Sequence, residues 1–98
     1  MELTREQFAE KINSLNEKTT FNVESEDKGS VYLSLNGCNI SVTVEECVCG
    51  EVVMYKPHTE MEVTLDFDLV GWIEENEDGS IYLELNNDLA GVVIRPVE

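Results

Sequence analysis

Positive charge is scarce in this chain. Six Lys and Arg residues stand against 21 Asp and Glu, a formal net charge of −15 over 98 residues. Arg5, Lys11, Lys18, Lys28, Lys56 and Arg95 are scattered singly, so no basic patch interrupts the field. Such a chain repels nucleic acid, anionic membrane surfaces and acidic substrates. The partners expected of it are cations or basic protein surfaces.

Catalytic and cofactor signatures are also missing. The only histidine, His58, sits beside Pro57 in an expected turn and has no nucleophile or base at a readable spacing. An enzymatic reading would need a pocket that joins His58 to Cys47 or a carboxylate, and nothing in the sequence indicates one. Glycine-rich phosphate loops, calcium loops and nucleotide fingerprints are absent, so no cofactor is expected. Cys47 and Cys49, in "CVCG", project from one side of a strand, with Cys38 and His58 as conceivable further ligands. That spacing does not match the knuckles of structural zinc sites, and no metal is expected. Two small buried side chains at a bulge, with Gly50 supplying backbone freedom, is the simpler reading.

Long apolar runs are missing too. No stretch reaches the ~20 residues that span a bilayer, and "MELTREQFAEK" carries charge where a secretory signal needs an apolar run. An odd cysteine count without such a signal suits free thiols in a reducing compartment. A cytoplasmic protein is expected, and the length allows one domain, 1–98, with one modest core.

What the sequence does contain is pattern. Thr4 and Gln7 form a capping box, Leu3 and Phe8 occupy the staple positions, and Phe8, Ile12 and Leu15 follow at helical spacing. From Thr19 the period falls to two and β-branched and aromatic residues take over. Six strands are expected, near 19–26, 30–36, 39–55 (interrupted), 60–75, 80–86 and 91–96.

"EDKGSVYLSLN", 26–36, returns as "NEDGSIYLELN", 76–86. Read as hairpins with three-residue loops and a left-handed glycine, they set Glu26 against Ser30 and Asn76 against Ser80. Val23 then faces Leu33, and Ile73 faces Leu83. Asn36-Gly37 reads as a type I′ turn that sets Leu33 against Ile40 and Val31 against Val42. Two similar three-stranded units, 21–44 and 71–94, follow from this, joined by a long hairpin turning near "KPHT". The expected fold is α+β, with the N-terminal helix packed on a curved six-stranded antiparallel meander sheet.

The segment "EMEVTLDFDLV", 60–70, alternates throughout. Met61, Val63, Leu65, Phe67 and Leu69 make an apolar face, and Glu60, Glu62, Thr64, Asp66 and Asp68 the opposite one. Carboxylates spaced about 6.8 Å apart along a strand are commensurate with two base-pair rises of a nucleic-acid backbone. Glu24, Glu26, Glu74 and Glu84 extend this field, and Glu45, Glu46 and Glu51 add to it near the bridging hairpin. The preferred register turns Trp72 outward beside Glu84 and Tyr82 outward opposite Glu74, with Tyr32 the counterpart of Tyr82. Aromatics ringed by carboxylates have the make-up of a surface that captures Lys and Arg. A charged outer face is also what any antiparallel sheet shows to water, but solubility alone needs a net charge of only about 2–8.

In size, charge and the "EMEVTLDFD" face, the chain resembles the small nucleic-acid-mimicking inhibitors of phages and mobile elements, including anti-CRISPR proteins. That resemblance implies a non-enzymatic protein whose acidic face docks on a basic, nucleic-acid-binding protein surface and blocks it. Glu60, Glu62, Asp66 and Asp68 would supply the field, Trp72 and Tyr82 the anchors, and Glu74 and Glu84 the flanking charge. The alternative is a structural or assembly module, a homo-oligomer or complex subunit joined through the outward aromatics. Either a monomer or a homodimer fits the pattern.

Overall fold

The structure, a computed structural model, describes the backbone of residues 1–27, 30–45, 50–86 and 91–97, and the side chains of these residues outside 26–33. Cys47, Cys49 and Glu46, the Lys28-Gly29 loop, and the side chains of Glu26 and Tyr32 lie outside the described residues.

A helix, α1 (Arg5–Asn16), precedes β1 (Thr20–Asp27), β2 (Ser30–Thr43), β3 (Glu51–Tyr55) and β4 (Glu62–Asp66). A 3-10 turn, η1 (Phe67–Leu69), leads to β5 (Val70–Glu75), β6 (Ile81–Leu85) and β7 (Gly91–Val97). The fold is therefore α+β. The strands form one seven-stranded sheet in the order β4-β3-β2-β1-β7-β6-β5, and every neighbouring pair is antiparallel. The count rises from the expected six because η1 divides the 60–75 strand in two.

The capping box forms as its residues dictate. Thr4 Oγ1 accepts from the Gln7 N–H at 3.1 Å, and Gln7 Oε1 accepts from the Thr4 N–H at 2.8 Å. Phe8 and Ile12 are buried against Phe21, Ile40, Met54, Phe67, Leu83 and Ile94 in a single core. Phe8 meets the Phe67 ring edge-on at 6.0 Å, and Arg5 closes the contact from outside, its guanidinium 5.5 Å over Phe67 and donating to the Phe67 carbonyl.

The two hairpins do not fold alike. In β5–β6 the expected register holds: Ile73 faces Leu83, the Asn76 N–H donates to the Ser80 carbonyl at 2.9 Å, and Gly79 takes φ +88°. In β1–β2, however, Val23 pairs with Leu35 rather than Leu33, and Asp27 rather than Glu26 faces Ser30. Asn36-Gly37 is not a turn, because β2 runs straight through it. Gly37 takes φ +67° inside a bulge, and its N–H donates to Asn22 Oδ1 at 2.9 Å. The bulge leaves Asn36 and Gly37 both exposed while Leu35 and Cys38 both turn inward. One long strand thus keeps its apolar face past the point where a hairpin would have doubled back. The unit expected at 21–44 is accordingly two strands, whereas 71–94 does form a three-stranded meander.

Past Cys38, β2 extends beyond the reach of β1. The groups of Ile40 and Val42 that face away from β3 would be orphaned there. Two helix asparagines take the place of the missing strand. Asn13 donates to the Val42 carbonyl and accepts from the Val42 N–H, both at 2.9 Å, and Asn16 Oδ1 accepts from the Ile40 N–H at 2.9 Å.

Candidate protein-binding surface

The eight residues singled out from the sequence fall into two groups at opposite ends of the strand order. Glu60, Glu62, Asp66 and Asp68 flank or lie on β4, while Trp72, Glu74, Tyr82 and Glu84 lie on β5 and β6. The three residues of η1 connect the two edges, so Asp66 and Val70 lie within ~14 Å of each other.

On β4 the outward positions Glu62, Thr64 and Asp66 are exposed, as are Glu60 in the preceding turn and Asp68 in η1. The regular two-residue spacing is shorter than expected, holding only from Glu62 to Asp66. Before it, the chain turns at Lys56–Met61. After it, η1 substitutes a period of three, and the Asp68 carbonyl accepts from Asn86 at 2.7 Å. The same two irregularities correct the apolar face. Phe67 is fully buried and Val63 and Leu65 half-buried, but Met61 in the turn is 43% exposed and Leu69 in η1 47%.

Pairing with β3 brings into the site Glu51, which the sequence placed in the wider acidic field but not among the eight site residues. Glu51 lies directly opposite Asp66, with both side chains exposed. The signal was present in the hairpin: a turn centred on His58 and Thr59 dictates that register. Like charges directly opposite are unfavourable, so this pair persists against a local cost. Among the described residues the ion pairs are Met1 ammonium to Glu74, Lys11 to Glu75 and Arg95 to Glu24. None of them involves Glu51, Glu60, Glu62 or Asp66.

The β5–β6 group has a different character. Trp72 lies beside Glu84 and Glu74 beside Tyr82, in the expected register, and Trp72 is 43% exposed. Its indole N–H donates to Glu74 Oε2 at 2.9 Å, and the Met1 ammonium sits 3.1 Å from Oε1. Chiefly through the indole bond, then through the ammonium, the Glu74 carboxyl is held below its ordinary range. The Tyr82 ring leans diagonally over Gly91 on the neighbouring strand, where even a Cβ would collide with it. Further along the same row, Glu24 lies opposite Val93 and makes a diagonal ion pair with Arg95 at 3.6 Å. Charge here is largely answered from within the chain.

His58 is exposed at φ +65° in its turn, and Cys38 is a buried free thiol that burial pushes upward in pKa. Among the described residues no group of three or more His, Cys, Asp and Glu is arranged to hold a metal, and no helix is long and apolar enough to cross a membrane.

Compared with known protein families, with curated proteins and with solved structures, the chain matches none of them.

Proposed function

We propose that this protein is a non-enzymatic binding protein that docks the acidic β3–β4 end of its sheet on a basic surface of another protein, such as a nucleic-acid-binding one, and blocks it. The observation that carries this reading is the combination of Glu51, Glu60, Glu62 and Asp66, all exposed and none in an ion pair among the described residues. The field, rather than a phosphate-like register, does the recruiting, because the regular row covers only Glu62 to Asp66. Accumulated charge of one sign steers encounter and selects an oppositely charged partner. The setting consistent with this is the cytoplasm, with the protein acting as a monomer or homodimer and contacting neither nucleic acid nor membrane directly.

The test is capture of the partner from host extract at low and high salt. Capture by the native chain should fall steeply as salt rises, and a folded variant with Glu60→Gln, Glu62→Gln, Asp66→Asn and Asp68→Asn should capture nothing. Salt-independent capture, or full capture by the variant, would refute the reading. The exposure of Trp72 and Leu69 favours one second reading, an assembly module joined through the start of β5. Light scattering that finds a dimer, together with a Trp72 fluorescence shift on dilution, would support that instead.

A further inference from the structure

The sheet has two edges, and among the described residues only one is covered. At β5, Glu2 bridges Glu74, the Leu3 N–H donates to the Ile73 carbonyl at 2.9 Å, and the Glu75 N–H donates to the Met1 carbonyl at 2.8 Å. At β4 nothing comparable occurs among the described residues. The Phe67 N–H donates to the Gly50 carbonyl across the β3–β4 ladder. By antiparallel alternation Val63 and Leu65 therefore direct both backbone groups at β3, and Glu62 and Thr64 direct theirs off the edge of the sheet. The side chains beside those free groups are Glu62, Thr64 and Asp66 on the outer face and half-buried Val63 and Leu65 on the inner one.

We propose that β4 receives an extended cationic segment of a partner protein as an added strand, with alternating Lys or Arg and apolar residues. This rests on the acidic-surface reading above and supplies its mode of contact. Backbone bonds from Glu62 and Thr64 give the affinity common to strand addition, and the side chains give the selection. Outward Lys or Arg residues lie across from Glu62 and Asp66, and inward apolar residues cover Val63 and Leu65. A second copy of this chain is the occupant that the charges refuse. Antiparallel self-pairing centred on Thr64 sets Glu62 of each copy against Asp66 of the other, repeating the unfavourable like-charge contact at every outward carboxylate.

The experiment is amide hydrogen exchange on the full chain, with and without a capped synthetic peptide alternating Lys and Val. In the free protein the amides of Val63 and Leu65 should exchange slowly and those of Glu62 and Thr64 fast. With peptide at ~10 times its Kd, Glu62 and Thr64 should slow by about tenfold. Thr64→Pro removes one edge donor at a position where an edge strand tolerates proline, leaves every carboxylate in place, and should weaken peptide binding at least about tenfold. Bound peptide without slowing at Glu62 and Thr64, undiminished binding by a folded Thr64→Pro chain, or a ligand-free dimer that protects these amides would each overturn the proposal. Any of these results beside salt-sensitive, carboxylate-dependent partner capture would remove the edge mode alone and leave the acidic-surface reading in place. Should Thr64→Pro fail to fold, the exchange pattern of the native chain decides.

Discussion

The side-chain amide of Asn13 holds both backbone groups of Val42, donating to its carbonyl and accepting from its N–H at 2.9 Å. A carboxamide has the donor and acceptor of a peptide unit, so the helix stands in for a strand where β1 has ended. Asn13→Ala orphans two backbone groups at once. We expect a loss of about 1–3 kcal/mol in urea unfolding, with little change in slope. Asn13→Asp keeps the acceptor but turns an anion toward the Val42 carbonyl, and it should be no better than alanine.

Such a contact leaves no trace in hydropathy, and it marks where sequence reading stops. The helix, its cap and its buried face were legible from Thr4, Gln7, Phe8 and Ile12, because each depends on residues within a turn of one another. The β5–β6 register was legible because Gly79 and the Ile73–Leu83 alternation agree. Asn36-Gly37 carries the stronger local turn signal, yet it became a bulge. The competing term was tertiary: Phe21 pairs with Cys38 and Asn22 tethers Gly37, which a hairpin at that point would forbid. Of the site, the exposed carboxylates of β4 were legible from alternation. The ties of Glu74 to Trp72 and Met1 were not, since the Met1 contact joins residues 73 positions apart.

His58 adopts φ +65° between Pro57 and Thr59, and the Thr59 N–H closes the turn on the Lys56 carbonyl at 3.2 Å. That is the position at which a proline-initiated turn favours glycine, and a side chain there carries left-handed strain. His58→Gly should raise stability by about 0.5 kcal/mol, the strain relieved less the extra freedom of glycine in the unfolded chain. Thermal melting checks it, and unchanged partner capture by the same variant would separate His58 from function.

Tyr82 covers Gly91 across the β6–β7 ladder, so it has a structural duty beside any binding one. Tyr82→Ala should cost about 1 kcal/mol by uncovering the glycine backbone. Tyr82→Phe should retain that packing. A partner that reads the hydroxyl would lose affinity for Tyr82→Phe without any change in melting temperature.

Acid should loosen the β5–β6 hairpin. Asp78 Oδ1 accepts from the Ser80 hydroxyl at 2.6 Å and from the Ser80 N–H at 2.9 Å, and these bonds hold its carboxyl below the ordinary range. A carboxyl depressed in the folded state contributes stability that is fully present above its unfolded value, about 3.9, and is lost as pH falls through the lower folded value. Glu74, depressed mainly by the Trp72 indole, acts in the same direction. Melting temperature should therefore fall below about pH 4, and Asp78→Ala, less stable at neutral pH, should show a shallower fall.

Glu51 and Asp66 oppose each other across β3 and β4 with no cation between them among the described residues. A sheet selected for stability alone would carry Lys at one of these positions. Glu51→Lys replaces repulsion by attraction and should raise stability at low ionic strength by about 1 kcal/mol, or about 4–8 °C in melting temperature for a domain of this size. Glu51→Gln should recover part of that gain, and both increments should shrink as added salt screens the exposed pair. If the acidic surface serves a basic partner, the same Glu51→Lys chain must bind more weakly while melting higher. Opposite movement of the two quantities would place the repulsion among the costs of function. A Glu51→Lys chain that melts higher and captures the partner undiminished would make Glu51 ordinary surface charge.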